Sequence, residues 1–178
     1  LVTAFIILSI VFWKILELTD LKINKVSIRL FSIKLFLFLI FIQLIIGAFV
    51  SGMDAGRVYN TWPLMGSSFF PDDSKIIEFL NIKVFDNPSI VQFIHRNLAY
   101  LIVAVYLYIF YSIFTLGDKR LLKPIIFIGL VLLAQIFLGI ITILSGVKIV
   151  YASLHQINSI LIVLSTLYFL YILEYKKN

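Results

Sequence analysis

This sequence predicts an all-α membrane protein on three observations: 62% of its 178 residues are hydrophobic, only 13% are charged, and the mean hydropathy is +1.09. Soluble domains of this size do not approach those values. The apolar residues also fall in long runs rather than in alternation. A chain in hydrocarbon must satisfy its backbone N–H and C=O groups internally, so such runs read as helices and not as a β-barrel. The expected fold is a polytopic transmembrane bundle of about five helices.

Runs near the ~20 apolar residues needed to cross a bilayer lie at 1–16, 33–50, 89–116, 122–144 and 149–173. The first is short for a span and opens on Leu1 with no initiator methionine. It reads as the end of a helix that starts upstream, and the chain reads as a piece of a longer protein. The expected division is residues 1–32, the end of a preceding transmembrane helix with an inner loop, and residues 33–178, a four-helix bundle with an outer loop at 51–87. The absence of cysteine removes disulfides, thiolate metal sites, iron–sulfur clusters and cysteine nucleophiles together.

Lysines and arginines set the orientation. If five spans alternate, Lys14, Lys22, Lys25, Arg29, Lys34, Lys119, Arg120, Lys123, Lys176 and Lys177 share one side with only Glu17, Asp20, Asp118 and Glu174. On the other side Arg57, Lys75, Lys83, Arg96 and Lys148 are balanced by Asp54, Asp72, Asp73, Glu78 and Asp86. The basic side should face the cytoplasm or matrix, in a bacterial inner membrane or a mitochondrial inner membrane. The formal net charge of +6 is then a topology signal and not a solvated basic face for nucleic acid. Within the outer loop, residues 74–85 mix charged and apolar side chains, which suits either a short helix lying in the interface plane or a packed loop segment.

An internal repeat runs through the spans. The second span carries Gln43 and Gly47 followed by Ser51-Gly52; the fourth carries Gln135 and Gly139 followed by Ser145-Gly146. Each is followed by a span with a histidine near its outer end, His95 seven residues after Pro88 and His155 seven after Lys148. At ~1.5 Å per residue both lie ~10 Å inside their helix starts. Two helix pairs of one design would set two imidazoles opposite each other.

A histidine in hydrocarbon is costly and is by default a functional hypothesis, although a single one is often only hydrogen-bonded to a neighbouring helix. Two at matched depth in a repeated unit point to a shared ligand. With no cysteine and no carboxylate one turn from either histidine, zinc or a di-iron site has little support. Haem needs two facing imidazoles and an apolar slot, so His95 and His155 are the expected metal ligands. Gly47 and Gly139 would let a flat macrocycle approach the backbone, or else serve close helix packing. Gln92 and Gln156 could orient ligands or bond a propionate, and Arg57 and Arg96, near the outer boundary, could pair with propionates or snorkel to the interface.

The residues also carry a family resemblance. The segment 47–66, with its Asp54-Ala55-Gly56 and Tyr59-Asn60-Thr61-Trp62-Pro63-Leu64-Met65 runs, followed by the stretches around His95 and His155, resembles the carboxy-terminal half of haem A synthases over nearly the whole chain. That family has two pseudo-symmetric four-helix bundles, each binding a haem through two histidines. The resemblance implies that residues 1–16 match the last helix of the preceding half and that His95 and His155 hold a b-type haem used for electron transfer. It further implies oxidation of a methyl group of haem O to the formyl group of haem A, by successive hydroxylation and loss of water, for cytochrome c oxidase. The implied partners are the haem O substrate, haem O synthase and the cytochrome c oxidase assembly pathway, membrane lipid and an electron donor that the residues do not name. A homo-oligomer is compatible with the sequence. The segment 54–65 has no assigned role in this reading, and catalytic residues stay unknown. Two other classes remain open. Another membrane b-type cytochrome typically stacks two haems across the bilayer, and a transporter would show broken helices or midplane charges.

Overall fold

The computed structural model describes residues 1–19, 30–80 and 82–174. Among them are five α-helices, α1 (Val2–Glu17), α2 (Leu30–Gly52), α3 (Pro88–Leu116), α4 (Lys119–Leu144) and α5 (Ile149–Glu174), with short 3-10 turns at Ala55–Arg57, Ile76–Leu80 and Ile82–Asp86. The all-α class stands. Four helices, α2 to α5, are long and apolar enough to cross a membrane. The 16 residues of α1 reach only about 24 Å at ~1.5 Å per residue, short of the ~30 Å hydrocarbon core.

Local chemistry sets the helix ends. Asn87 caps α3, its side chain accepting from the N–H groups of Ser89 and Ile90 at 3.0 and 3.4 Å, while Pro88 takes the first position, where no amide hydrogen is needed. At the other end Gly117, at φ 68°, terminates α3, and Asp118 at once caps α4 by accepting from Arg120 N–H at 3.0 Å. This two-residue connection forces α3 and α4 to run antiparallel. The turn from α4 to α5 uses Gly146 and Val147, both at positive φ.

The principal seams are α2 on α3 and α4 on α5, with α2 on α5 and α3 on α4 closing a four-membered ring. Helices α3 and α5 therefore stand at opposite corners. Helix α1 lies outside this ring on α5 and α2, bringing Phe5 and Leu16 into the same core cluster as Ile33, Phe36, Ile125 and Phe169. Side chains such as Phe38, Phe114, Leu133 and Phe137 point outward and exposed, as lipid contact allows. Between α3 and α4, Tyr106 donates to the Ile125 carbonyl at 3.0 Å across Gly129, where a Cβ would collide with the tyrosine hydroxyl.

The basic end collects Lys14, paired with Glu17 at 2.7 Å, Lys34 at the start of α2, and Lys119, Arg120 and Lys123 at the start of α4. The remaining charges expected at that end, Lys22, Lys25, Arg29, Asp20, Lys176 and Lys177, lie outside the described residues. Residues 74–85 do not form one interfacial helix. Lys75 N–H donates to Glu78 at 2.9 Å and Asn87 donates to both Ser74 and Glu78, at 3.2 and 2.9 Å, so side chains take up bonds that would extend a helix. Ile76, Ile77 and Phe85 remain exposed along that segment.

The loop should face the side opposite the basic end. A cysteine placed at the exposed Ser67 of this cysteine-free chain will react with an impermeant maleimide added from outside, whereas one at Ser89, 1% exposed, will react slowly from either side. Labelling of position 67 only after the membrane is opened would invert the topology.

Candidate functional site

Gln43 and Gly47 lie one turn apart on α2 and meet His95 on α3. The Gln43 amide donates from Nε2 to the His95 backbone carbonyl at 3.0 Å and lies 3.2 Å from the ring Nε2. A carbonyl can only accept, so the amide nitrogen must face it, and the second N–H of the same nitrogen is directed at the imidazole. A Cβ at position 47 would come 3.2 Å from His95 Cε1, tighter than ordinary contact.

The same construction recurs on α4 and α5. Gln135 Nε2 lies 3.2 Å from His155 Nε2, and a Cβ on Gly139 would come 3.0 Å from His155 Cε1. Here the other ring nitrogen is engaged as well. His155 Nδ1 lies 3.1 Å from the Gln135 carbonyl and must donate to it, so Nδ1 carries the proton and the Nε2 lone pair accepts from the glutamine amide. Asn158 then donates to Gln135 Oε1 at 2.7 Å and to the Val131 carbonyl at 3.0 Å. Asn158 went unnoticed in the sequence. Its only signal there is a polar residue one turn beyond a histidine on an apolar helix.

Sequence reasoning gave the two glycines to a macrocycle or to helix packing; in this structure the space each leaves is taken by the imidazole itself. The histidines sit seven and six residues into α3 and α5, at opposite corners of the ring. His95 Nδ1 and Gln43 Oε1 are buried with no hydrogen-bond partner. Among the described residues no group of three His, Asp or Glu side chains could hold a metal ion. A donor set of two neutral imidazoles, each with one nitrogen met by nothing stronger than an amide, fits the two axial positions of a haem iron.

The other singled-out residues divide. Gln92, 2% exposed, and Arg96, 8% exposed, converge on the Tyr59 carbonyl, donating from Nε2 at 3.0 Å and from the guanidinium at 3.2 Å, and Arg96 also donates to the Leu64 carbonyl at 3.3 Å. Arg96 Nε and Gln92 Oε1 are left buried and unpartnered. Arg57 is apart from them, exposed, with Asp54 at 3.7 Å. Gln156 is exposed on α5, turned away from the contacts of His155.

These contacts give the 54–65 segment a structural role that sequence reasoning could not assign. Asn60 donates to the Gly56 and Ile143 carbonyls at 3.0 Å each, tying the loop to the end of α4, while Ala55 and Met65 are fully buried. Beyond it, Asp72 accepts from the Ser67 backbone N–H at 2.7 Å and from the Ser67 and Ser68 hydroxyls at 3.0 Å each. The first of these bonds chiefly holds its carboxyl below the usual range.

Residues 1–167 match the COX15-CtaA family, described as cytochrome oxidase assembly protein. The heme A synthase of Pelagibacter ubique (strain HTCC1062) is 42% identical over 168 residues, covering 94% of this chain and 49% of that protein. The heme A synthase of Wolbachia pipientis wMel is 40% identical over 126 residues, 71% of this chain and 34% of its own. That of Rickettsia bellii (strain RML369-C) is 38% identical over 117 residues, 66% and 34% respectively. The chain thus spans at most about half the length of these curated relatives. No solved structure matches it. With four membrane-length helices and such bacterial relatives, the chain is an integral, multi-pass membrane protein.

The loop contacts rank the two arginines. Arg96→Leu removes bonds from a charged, buried donor to two carbonyls, each worth about 1.5–3 kcal/mol, and should expose the loop to limited proteolysis. Arg57→Leu breaks an exposed ion pair worth at most about 1 kcal/mol and should leave the cleavage rate near that of the parent. Equal protection in both variants would remove Arg96 as the loop's tether.

Proposed function

The chain belongs to the cytochrome oxidase assembly protein family, and on that premise we propose that it is the haem-holding carboxy-terminal part of a haem A synthase. In this reading the whole protein oxidises a methyl group of its substrate, haem O, to the formyl group of haem A for cytochrome c oxidase. Residues 33–178 form the haem-binding bundle, and residues 1–32 belong with a neighbouring bundle that α1 joins to it.

The observation that carries the proposal is the duplicated arrangement of histidine, glutamine and glycine on two helix pairs at matched depth. His95 and His155 would hold the iron of a b-type haem, which when bound would supply one-electron transfer for the oxidation of haem O. The chain's own residues supply orientation and shielding. Gln43 and Gln135 hold each imidazole against its partner helix. Gly47 and Gly139 let the rings lie close to the backbone. Arg96 and Gln92 keep the outer loop closed over the bundle end, and Arg96 Nε, buried without a partner, is a donor a propionate can use. Arg57 and Gln156, both exposed, are weaker propionate partners. An electron donor, haem O synthase and the oxidase assembly machinery are the partners this function requires. Membrane lipid and further copies of the chain are the surroundings it would meet.

The purified chain should bind one low-spin haem, and replacing either His95 or His155 by alanine should remove the low-spin bands. If both single variants keep the parent's spectrum, the ligand assignment fails. Expressed in cells lacking their own synthase, residues 1–178 should yield no haem A on extraction and chromatography, because two histidines fill one haem's axial positions and leave none for haem O. Haem A from those cells would refute the division between cofactor and substrate sites.

A further inference from the structure

Resting on that haem reading, we propose that the two histidines are unequal ligands: His155 anchors the haem and His95 is the exchangeable partner, because Asn158 braces only the His155 side. The repeat makes the comparison internal. Glycine contacts at 3.2 and 3.0 Å and glutamine amides at 3.2 Å are common to both rings, so packing and the amide contact do not distinguish them.

The remaining nitrogen does. His155 Nδ1 donates to the Gln135 carbonyl, whereas His95 Nδ1 is buried with no partner. An acceptor on the distal nitrogen fixes the tautomer, sets the ring plane and makes the opposite nitrogen a stronger donor to a metal. His155 is therefore already in the state a metal requires, with its proton on Nδ1 and its lone pair on Nε2. The Gln43 N–H at Nε2 gives His95 the same tautomer, but with Nδ1 unpartnered its ring is held by that one amide contact, where His155 is held at both nitrogens.

The glutamines differ in the same direction. On the His155 side Gln135 has its oxygen bonded by Asn158, which in turn is fastened to the Val131 carbonyl. On the His95 side Gln43 Oε1 is buried and unpaired. The cause is one position. Asn158 follows His155 by three residues, and the residue that follows His95 by three is Leu98, which has no polar group to offer. The Gln43 bond to the His95 carbonyl steadies the α3 backbone and not the ring, so it does not compensate. Asn158 is a positioning residue that acts through Gln135 on His155.

The test uses the purified chain in detergent, loaded with iron protoporphyrin IX and washed, with haem content, optical and electron paramagnetic resonance spectra, and the rate of haem transfer to apomyoglobin as readouts. His95→Ala should retain haem in a five-coordinate, high-spin form that returns to low spin when imidazole is added. His155→Ala should lose most of its haem on washing. Asn158→Leu, which copies the residue of the other repeat, should remain six-coordinate but release haem about tenfold faster, the scale usual for losing a group that orients a metal ligand. Retention in His155→Ala equal to or above that in His95→Ala, or equal loss from both, overturns the inequality while leaving the ligands assigned. A parent-like low-spin spectrum in both alanine variants overturns the haem reading itself. Should an alanine variant lose its helical circular dichroism, Asn158→Leu decides alone: release at the parent's rate refutes the bracing role.

Discussion

An imidazole inside a bilayer cannot be solvated by water, and the way this chain meets that constraint organises the rest of it. Each histidine is answered by the helix that precedes it, through a glutamine amide at 3.2 Å and a glycine one turn further on. A buried polar group left unpaired costs about 1–3 kcal/mol, so the glutamine contact favours the seams α2 on α3 and α4 on α5 over other pairings of equally greasy helices. Lipid tails compete evenly for leucine and phenylalanine. Specificity must come from the polar contacts and from the small residues that let backbones approach. The two principal seams of the bundle are the two that carry a histidine.

The outer loop is fastened to the same framework. Arg96 follows His95 directly, so the stretch of α3 that orients the histidine also delivers a guanidinium to the Tyr59 and Leu64 carbonyls. Asn60 carries the loop on to the end of α4. A guanidinium buried among carbonyls, with no carboxylate among its hydrogen-bond partners here, is expensive to desolvate. That expense is easier to understand if the site has use for positive charge near the mouth of the bundle, since loop closure alone could be served by neutral donors such as Gln92.

Much of this was legible in the residues because it depends on type and period. Apolar runs gave α2 to α5 with ends displaced by up to three residues, at both ends of α2 and at the start of α4, where Asp118 caps ahead of the apolar run. The repeat of Gln43 and Gly47 in Gln135 and Gly139 was legible too, but that these residues meet the histidines was not, and ligand orientation went to Gln92 and Gln156 instead. The structural role of the 54–65 segment was illegible because its main contacts run through backbone carbonyls, its own at Tyr59 and Leu64 and that of Ile143, which every residue has and no sequence marks. Residues 74–85 left an interfacial helix and a packed loop equally open for a related reason. Their apolar residues suit a helix, but Glu78 and Asn87 spend side-chain bonds on the local backbone and on Ser74. Gln156 drew attention as the neighbour of His155, when adjacency on a helix turns a residue away and a spacing of three brings it near.

The position three residues beyond each histidine shows what a duplicated fold can do that two identical copies cannot. With the same residue in both places, the two glutamines would be braced alike. Leucine at 98 and asparagine at 158 break that equality, because only the asparagine reaches a carbonyl and an amide on the facing helix. Hydrogen bonding to the distal nitrogen is a lever on ligand strength that leaves the coordinating atoms unchanged. A site built this way can keep its cofactor through one firm bond while the opposite ligand stays adjustable, and the adjustable side is the one whose helix also holds the outer loop. Any ligand exchange at His95 would then be felt first by Arg96 and the Tyr59 carbonyl it holds, at the loop-covered end of the bundle, and not by the braced pair of α4 and α5.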